Sequence, residues 1–85
     1  MNELLINLYC PSTSKYYDFW VPGGLSVESL ISQICDDICE LENNTEIFAD
    51  RDKLLLCSYH VGKALPPDMT LEKAGIRSGD RLTLV

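Results

Sequence analysis

The sequence is poor in the features that mark membrane, nucleic-acid-binding or catalytic proteins. Its longest apolar runs, Leu4-Leu5-Ile6 and Leu54-Leu55-Leu56-Cys57, fall far below the roughly 18 residues a membrane-spanning helix needs. No bilayer crossing is expected. Basic residues are scarce: seven Lys and Arg stand against thirteen Asp and Glu, a formal net charge of -6. Such a field repels phosphate backbones and anionic lipid, and the seven cations are scattered along the chain, which argues against nucleic acid as a partner. The start, Met1-Asn2-Glu3, has neither the positive segment nor the small-residue cleavage site of a secretory signal, so a cytoplasmic protein is expected. There is one histidine, His60, and no Ser or Cys nucleophile in a recognisable elbow. Gly23-Gly24 reads as a turn and not as a phosphate loop. These absences predict a non-catalytic protein without a cofactor.

Cysteine is present four times, as Cys10, Cys35, Cys39 and Cys57. A disulfide framework belongs to small secreted domains that cannot build a core; without a signal, and with ample aliphatic residues, reduced thiols are expected instead. Cys35 and Cys39 lie four apart on a predicted helix, so both sulfurs could face one metal ion, with Cys10, Cys57 or His60 completing the set. Against this, the helical angle puts both at the flank of an apolar stripe, and there is no Cys-x-x-Cys pair or second histidine. Inert thiols packed as small hydrophobes are the favoured expectation, with no metal. A redox role would need a depressed thiol pKa, which neighbouring Asp36 and Asp37 oppose.

At 85 residues the chain holds one domain, residues 1–85, burying about 60–65% of its unfolded surface. With 46% hydrophobic and 24% charged residues it has a globular composition. Residues 3 to 9 alternate, Leu4, Ile6 and Leu8 on one side and Leu5, Asn7 and Tyr9 on the other, as a half-buried strand requires. Cys10-Pro11-Ser12-Thr13-Ser14-Lys15 predicts a chain reversal. Tyr16 to Val21 then reads as a second strand, with Tyr17, Phe19 and Val21 on one face and Tyr16, Asp18 and Trp20 on the other, stopped by Pro22-Gly23-Gly24.

Ser26 is the expected N-cap of a helix over 27–42, since Val27, Leu30, Ile31, Ile34, Ile38 and Leu41 recur at the 3–4 spacing of one apolar face. Asn43-Asn44 suits a left-handed helix end. Thr45 to Asp52 is expected to be a loop with Phe48 tucked beneath it. Lys53 to Tyr59 is predicted as a third strand whose three successive leucines hide its register. Gly62-Lys63 reads as a turn, Leu65 as an anchor and Pro66-Pro67-Asp68 as a rigid connector. Thr70 to Ala74 should make a short helical turn closed by Gly75, and Arg81 to Val85 a final strand with Leu82 and Leu84 inward.

Two apolar terminal strands that pair in parallel, with a helix crossing one face, give an α+β fold: a β-grasp with a mixed four- to five-stranded sheet. Over residues 70 to 85 the chain resembles ubiquitin-like domains. The matching stretch is Thr70-Leu71-Glu72-Lys73-Ala74-Gly75-Ile76 and Gly79-Asp80-Arg81-Leu82-Thr83-Leu84-Val85, with Leu71, Ile76, Leu82 and Leu84 in that superfamily's core positions. The Gly-Ile-x-x-Gly-Asp-x-Leu form is similar to small YukD-type bacterial proteins, ubiquitin-like accessories of type VII secretion. The resemblance implies a binding or adaptor module. Ubiquitin-type modifiers and sulfur carriers use a flexible Gly-Gly tail, whereas Val85 lies in the last strand here, so conjugation and carrier chemistry are not expected. A ubiquitin-like interaction domain of another regulatory or scaffold system is the alternative, and a metal or thiol-redox protein using Cys35 and Cys39 a third.

The alternation also nominates a protein-binding site. It sends Trp20 and Tyr16 away from the core, with Leu5 and Tyr9 pointing the same way from the adjacent strand and Val85 joining them. Four large apolar side chains would then share an exposed face, and aromatic residues are frequent interface anchors. The competing expectation is that a loop, or segment 43–52, folds over them.

Overall fold

A computed structural model of the chain describes residues 3–85. Strands β1 (Glu3–Cys10) and β2 (Lys15–Pro22) form a hairpin whose register runs without a break from Glu3 opposite Pro22 to Cys10 opposite Lys15. Ser14 takes the left-handed conformation, φ 57°, that lets the chain reverse so tightly. Helix α1 (Val27–Leu41) follows, and then three short strands, β3 (Leu56–Ser58), β4 (Lys63–Ala64) and β5 (Arg81–Leu84). The sheet order is β2-β1-β5-β3-β4, with β1 and β5 parallel at the centre and the remaining pairs antiparallel.

This is the β-grasp arrangement, one helix laid across a five-stranded mixed sheet. Its core lies between them. Ile6, Leu8 and Cys10 of β1, Leu82 and Leu84 of β5 and Leu56 of β3 meet Val27, Leu30, Ile34, Cys35 and Ile38 of α1, all at most 1% exposed. The alternation in β1 and β5 and the 3–4 spacing in α1 put all of these but Leu56 on the inner side, so their burial follows from pattern. Leu71 and Ile76 close the bottom of the core from the turn before β5.

The helix begins as its cap predicts: Ser26 Oγ accepts from the Ser29 amide at 3.2 Å. It stops at Leu41, with Glu42 as the C-cap and Asn43 at φ 52°, one residue short of the expected end. Phe48 is buried beneath the 43–52 loop. The guanidinium of Arg51 bonds Asp36 at 2.6 Å and ties that loop to the outer side of α1.

The third strand departs from expectation. Arg51–Lys53 form a 3-10 turn, Leu54 is half-buried and Leu55 exposed, and pairing begins only at Leu56. Leu55 exchanges two backbone hydrogen bonds with Val85, at 2.7 and 2.9 Å, outside the regular strands, because the 3-10 turn feeds the chain in too late for a longer ladder. Three successive leucines thus take three environments, which alternation alone cannot assign. Thr70 bridges Ser26, and residues 71–75 form consecutive turns and no helix, held by Ala74 N donating to Thr70 O and closed by Gly75 at φ 79°. The last strand ends at Leu84.

Candidate protein-binding site

With α1 on one face, the other face of the sheet is open. The register arranges its side chains in rows. Tyr16, Tyr9, Thr83 and Cys57 lie side by side across four strands, and the next row holds Asp18, Asn7, Arg81 and Tyr59; Trp20 stands beside Leu5 one step further on. Trp20 is 63% exposed and Tyr16 61%, and neither loop nor the 43–52 segment covers them.

The five residues nominated by the sequence do not make one continuous patch. Leu5 and Tyr9 are half-buried, and the polar row divides the face: Asn7 Nδ2 donates to Asp18 Oδ1 at 3.0 Å between the Leu5–Trp20 pair and the Tyr9–Tyr16 pair. The two tyrosine rings pack at 4.8 Å between centroids, tilted by 42°. Val85, exposed, stands past Thr83 at the end of the sheet away from Trp20 and beside Leu55. The structure therefore brings Tyr9 together with Tyr16 and Leu5 with Trp20, and leaves Val85 as an outlier.

Sequence reasoning missed Arg81 and Tyr59. Arg81 lies between two rings, its guanidinium carbon 6.0 Å from the Tyr16 centroid and 5.9 Å from that of Tyr59. At that range the ring faces hold the cation without neutralising it. Its signal was present: if Leu82 and Leu84 point inward, Arg81 and Thr83 point outward. Tyr59 had no such signal, because the register of β3 was not readable. The face thus offers a half-buried aliphatic and a half-buried aromatic anchor, three exposed aromatic ones and a guanidinium with no carboxylate partner among the described residues.

Three of the four cysteines lie elsewhere. Cys10, Cys35 and Cys39 are buried on the inner side, Cys57 half-buried on the open face, and all four are free thiols. Cys35 is pushed up to about 11, first by burial, opposed by Arg51 and assisted by the neighbouring Cys39, Cys10 and Asp36. Burial, more than the adjacent acids, is the main cause. The sheet itself stands between Cys57 and the Cys35–Cys39 pair, and no group of three or more His, Cys, Asp or Glu among the described residues is placed to hold a metal ion. No described helix is long and apolar enough to cross a membrane.

No family model matches this sequence, and no curated protein does. Solved structures do match, and they are ubiquitin-like domains. The ubiquitin-like domain of EccD5 from Mycobacterium xenopi superposes with a TM-score of 0.78 at 15% identity, covering all of this chain and 94% of that one. That of the Mycobacterium tuberculosis type VII secretion system protein ECCD1 gives 0.73 at 20% identity, covering 100% and 99%. Caldiarchaeum subterraneum ubiquitin gives 0.69 at 19%, covering 98% and 91%. At these identities the likeness is one of fold: the chain has the ubiquitin-like β-grasp fold.

Proposed function

We propose that this domain is a non-catalytic adaptor of a bacterial type VII secretion machine, working in the cytoplasm by protein–protein contact through the open face of its sheet. The observation that carries the reading is that face: Trp20 and Tyr16 stand mostly in water beside half-buried Leu5 and Tyr9, with Arg81 between two tyrosine rings. Trp, Tyr and Arg are the residues most enriched among interface hot spots. The secretion assignment is supported by the motif over residues 70 to 85 and by the EccD ubiquitin-like domains among its structural neighbours. The archaeal ubiquitin shares the fold without that context, which keeps an interaction domain of another regulatory system as the second reading.

The test uses the folded domain as bait in detergent-solubilised extract of the source organism, with Trp20→Ala alongside. Truncating a hot-spot tryptophan costs about 2–4 kcal/mol of binding, enough to abolish capture. Recovery of secretion components by the parent and their loss in the variant is the expected outcome. A partner from an unrelated system supports the second reading, and equal capture by both baits removes the open face from consideration.

A further inference from the structure

Between α1 and the 3-10 turn at Arg51–Lys53, on the flank of the helix away from β2, lies a cleft of about 510 Å³. Ile31, Leu54 and Pro67 give it an apolar lining, Ile31 being buried and Leu54 half-buried. Its walls are fixed at both ends. The first turn of α1 is tied to the proline connector, Val27 N donating to Met69 O at 2.7 Å and Glu28 N to Pro67 O at 2.9 Å. At the other end Arg51 donates to Asp36 Oδ1 at 2.6 Å and to the Ser32 carbonyl at 3.5 Å. Glu28, Ser32 and Asp36 recur at four-residue intervals, so they form one ridge about 12 Å long beside the cleft.

The rim of this cleft is acidic, and the cations beside it are already engaged. Arg51 answers Asp36, and Lys53 answers Asp50 at 3.6 Å. Glu28 from the helix and Asp52 from the 3-10 turn both line the cleft and are exposed, and neither has a cationic partner among the described residues. Asp68, next in the chain to Pro67, has none either. Unanswered carboxylates therefore border an apolar floor. Arg51 shows, within the molecule, how this ridge receives a guanidinium: the head group takes a carboxylate and a helix carbonyl, and the side chain is left only 34% exposed.

We propose that this cleft receives an arginine side chain of a partner protein, carried between aliphatic residues. The stem of the arginine lies along Ile31 and Leu54 while its head group reaches Glu28 and Asp52, as long cationic side chains do where an apolar surface is edged by acid. A guanidinium suits the place better than an ammonium, because it is more weakly hydrated and its planar fork matches a carboxylate. The flanking aliphatic residues rest on Pro67 and the uncovered part of Leu54. The net charge of -6 steers a basic segment toward the domain. A second copy of this chain is the wrong occupant, since two molecules of that charge repel each other. The cleft lies on the helix side, with the sheet between it and the open face, so this inference stands apart from the open-face reading.

The probe is a peptide capped at both ends with one arginine between two leucines, titrated into the isotopically labelled domain and followed by the amide signals of residues 28–36 and 51–54. A second peptide carries citrulline, which keeps the shape of arginine without its charge, and a third carries glutamate. The arginine peptide is expected to shift those signals saturably, and the other two to bind at least fivefold more weakly. The double variant Glu28→Gln, Asp52→Asn alters only exposed groups, so its fold should be retained by circular dichroism. It is expected to bind the arginine peptide no better than the parent binds the citrulline one. Trp20→Ala should leave the affinity unchanged. The proposal is overturned if the cleft signals do not move at millimolar peptide, if citrulline binds as well as arginine, or if the double variant binds as well as the parent. Shifts confined to the open face would also overturn it while leaving the open-face reading intact, and the same shifts produced by domain concentration alone would make a second copy the occupant.

Discussion

Labelling the native domain with a thiol reagent at pH 8 reads the packing of the core through its cysteines. Cys57 lies half-buried on the open sheet face, and Cys10, Cys35 and Cys39 are enclosed between sheet and helix. The thiolate is the reacting species. With its pKa pushed up from 9.0 to about 11, Cys35 is ionised in about one molecule per thousand at pH 8, against about one in ten for the reference thiol. Reaction within the closed structure is thus slowed roughly a hundredfold by ionisation alone, before any steric exclusion. The alternative route is opening of the domain, which restores an ordinary pKa but is populated at only about one part in several thousand for a stability near 5 kcal/mol.

By either route Cys35 should label at least a hundredfold more slowly than Cys57. In urea the three slow thiols should accelerate together, and four should be counted after unfolding. The same shift carries a sign: the native state holds the Cys35 proton more tightly than the unfolded chain. Its contribution to stability is complete below pH 9 and is lost as pH rises through about 11. Labelling of Cys35 within tenfold of Cys57 in a domain of intact circular dichroism would refute the packing argument. Fewer than four thiols on unfolding, or bound zinc, would revive a thiol or metal role for Cys35 and Cys39.

Two further outcomes test the frame around the site. Leu71, fully buried below the sheet, should cost about 2–5 kcal/mol when changed to Ala, read as a lower urea midpoint with unchanged slope; a loss below about 1 kcal/mol would show the 70–75 turn to be peripheral. Glu42 accepts from Lys15 Nζ at 2.7 Å and from the Tyr17 hydroxyl at 2.8 Å. The Lys15 bond, then the Tyr17 bond, holds its carboxyl below the usual 4.5. A lowered pKa stabilises above the ordinary value and loses that effect on acidification. The melting temperature of the parent should therefore exceed that of Glu42→Gln at pH 7, with the gap closing as pH falls through and below 4.5. A gap constant down to pH 3 would contradict this.

Much of the fold was legible because β1, β2, α1 and β5 each have one buried and one solvated side, which leaves a period in the sequence. Ile6 and Leu8, Leu82 and Leu84, and the series from Val27 to Ile38 could be placed for that reason. The region from 51 to 59 was not legible. There the environment of Leu54, Leu55 and Leu56 is set by the 3-10 turn before them and by the reach of Val85, and both are tertiary facts. At the site, alternation orients Trp20 and Tyr16 and already sets Asn7 between Leu5 and Tyr9 and Asp18 between Tyr16 and Trp20; that the two polar residues stand opposite each other and bond across the strands is set by the register.

Register also explains why β2 borders two surfaces of different chemistry. As the edge strand of a hairpin that packs on a single helix, it presents Phe19 toward the helix and Trp20 toward the open face, and no further strand shields either. The charge is unequal on the two sides. Arg81 and Asp18 stand on the open face, whereas Asp36, Asp37, Glu40 and Glu42 follow one another along the outer side and end of α1, where Arg51 and Lys15 answer only two of the four. At physiological salt, charges more than about 8 Å apart in solvent scarcely sense each other. The acidic side of α1 and the aromatic face are therefore two surfaces of different chemistry on either side of one strand.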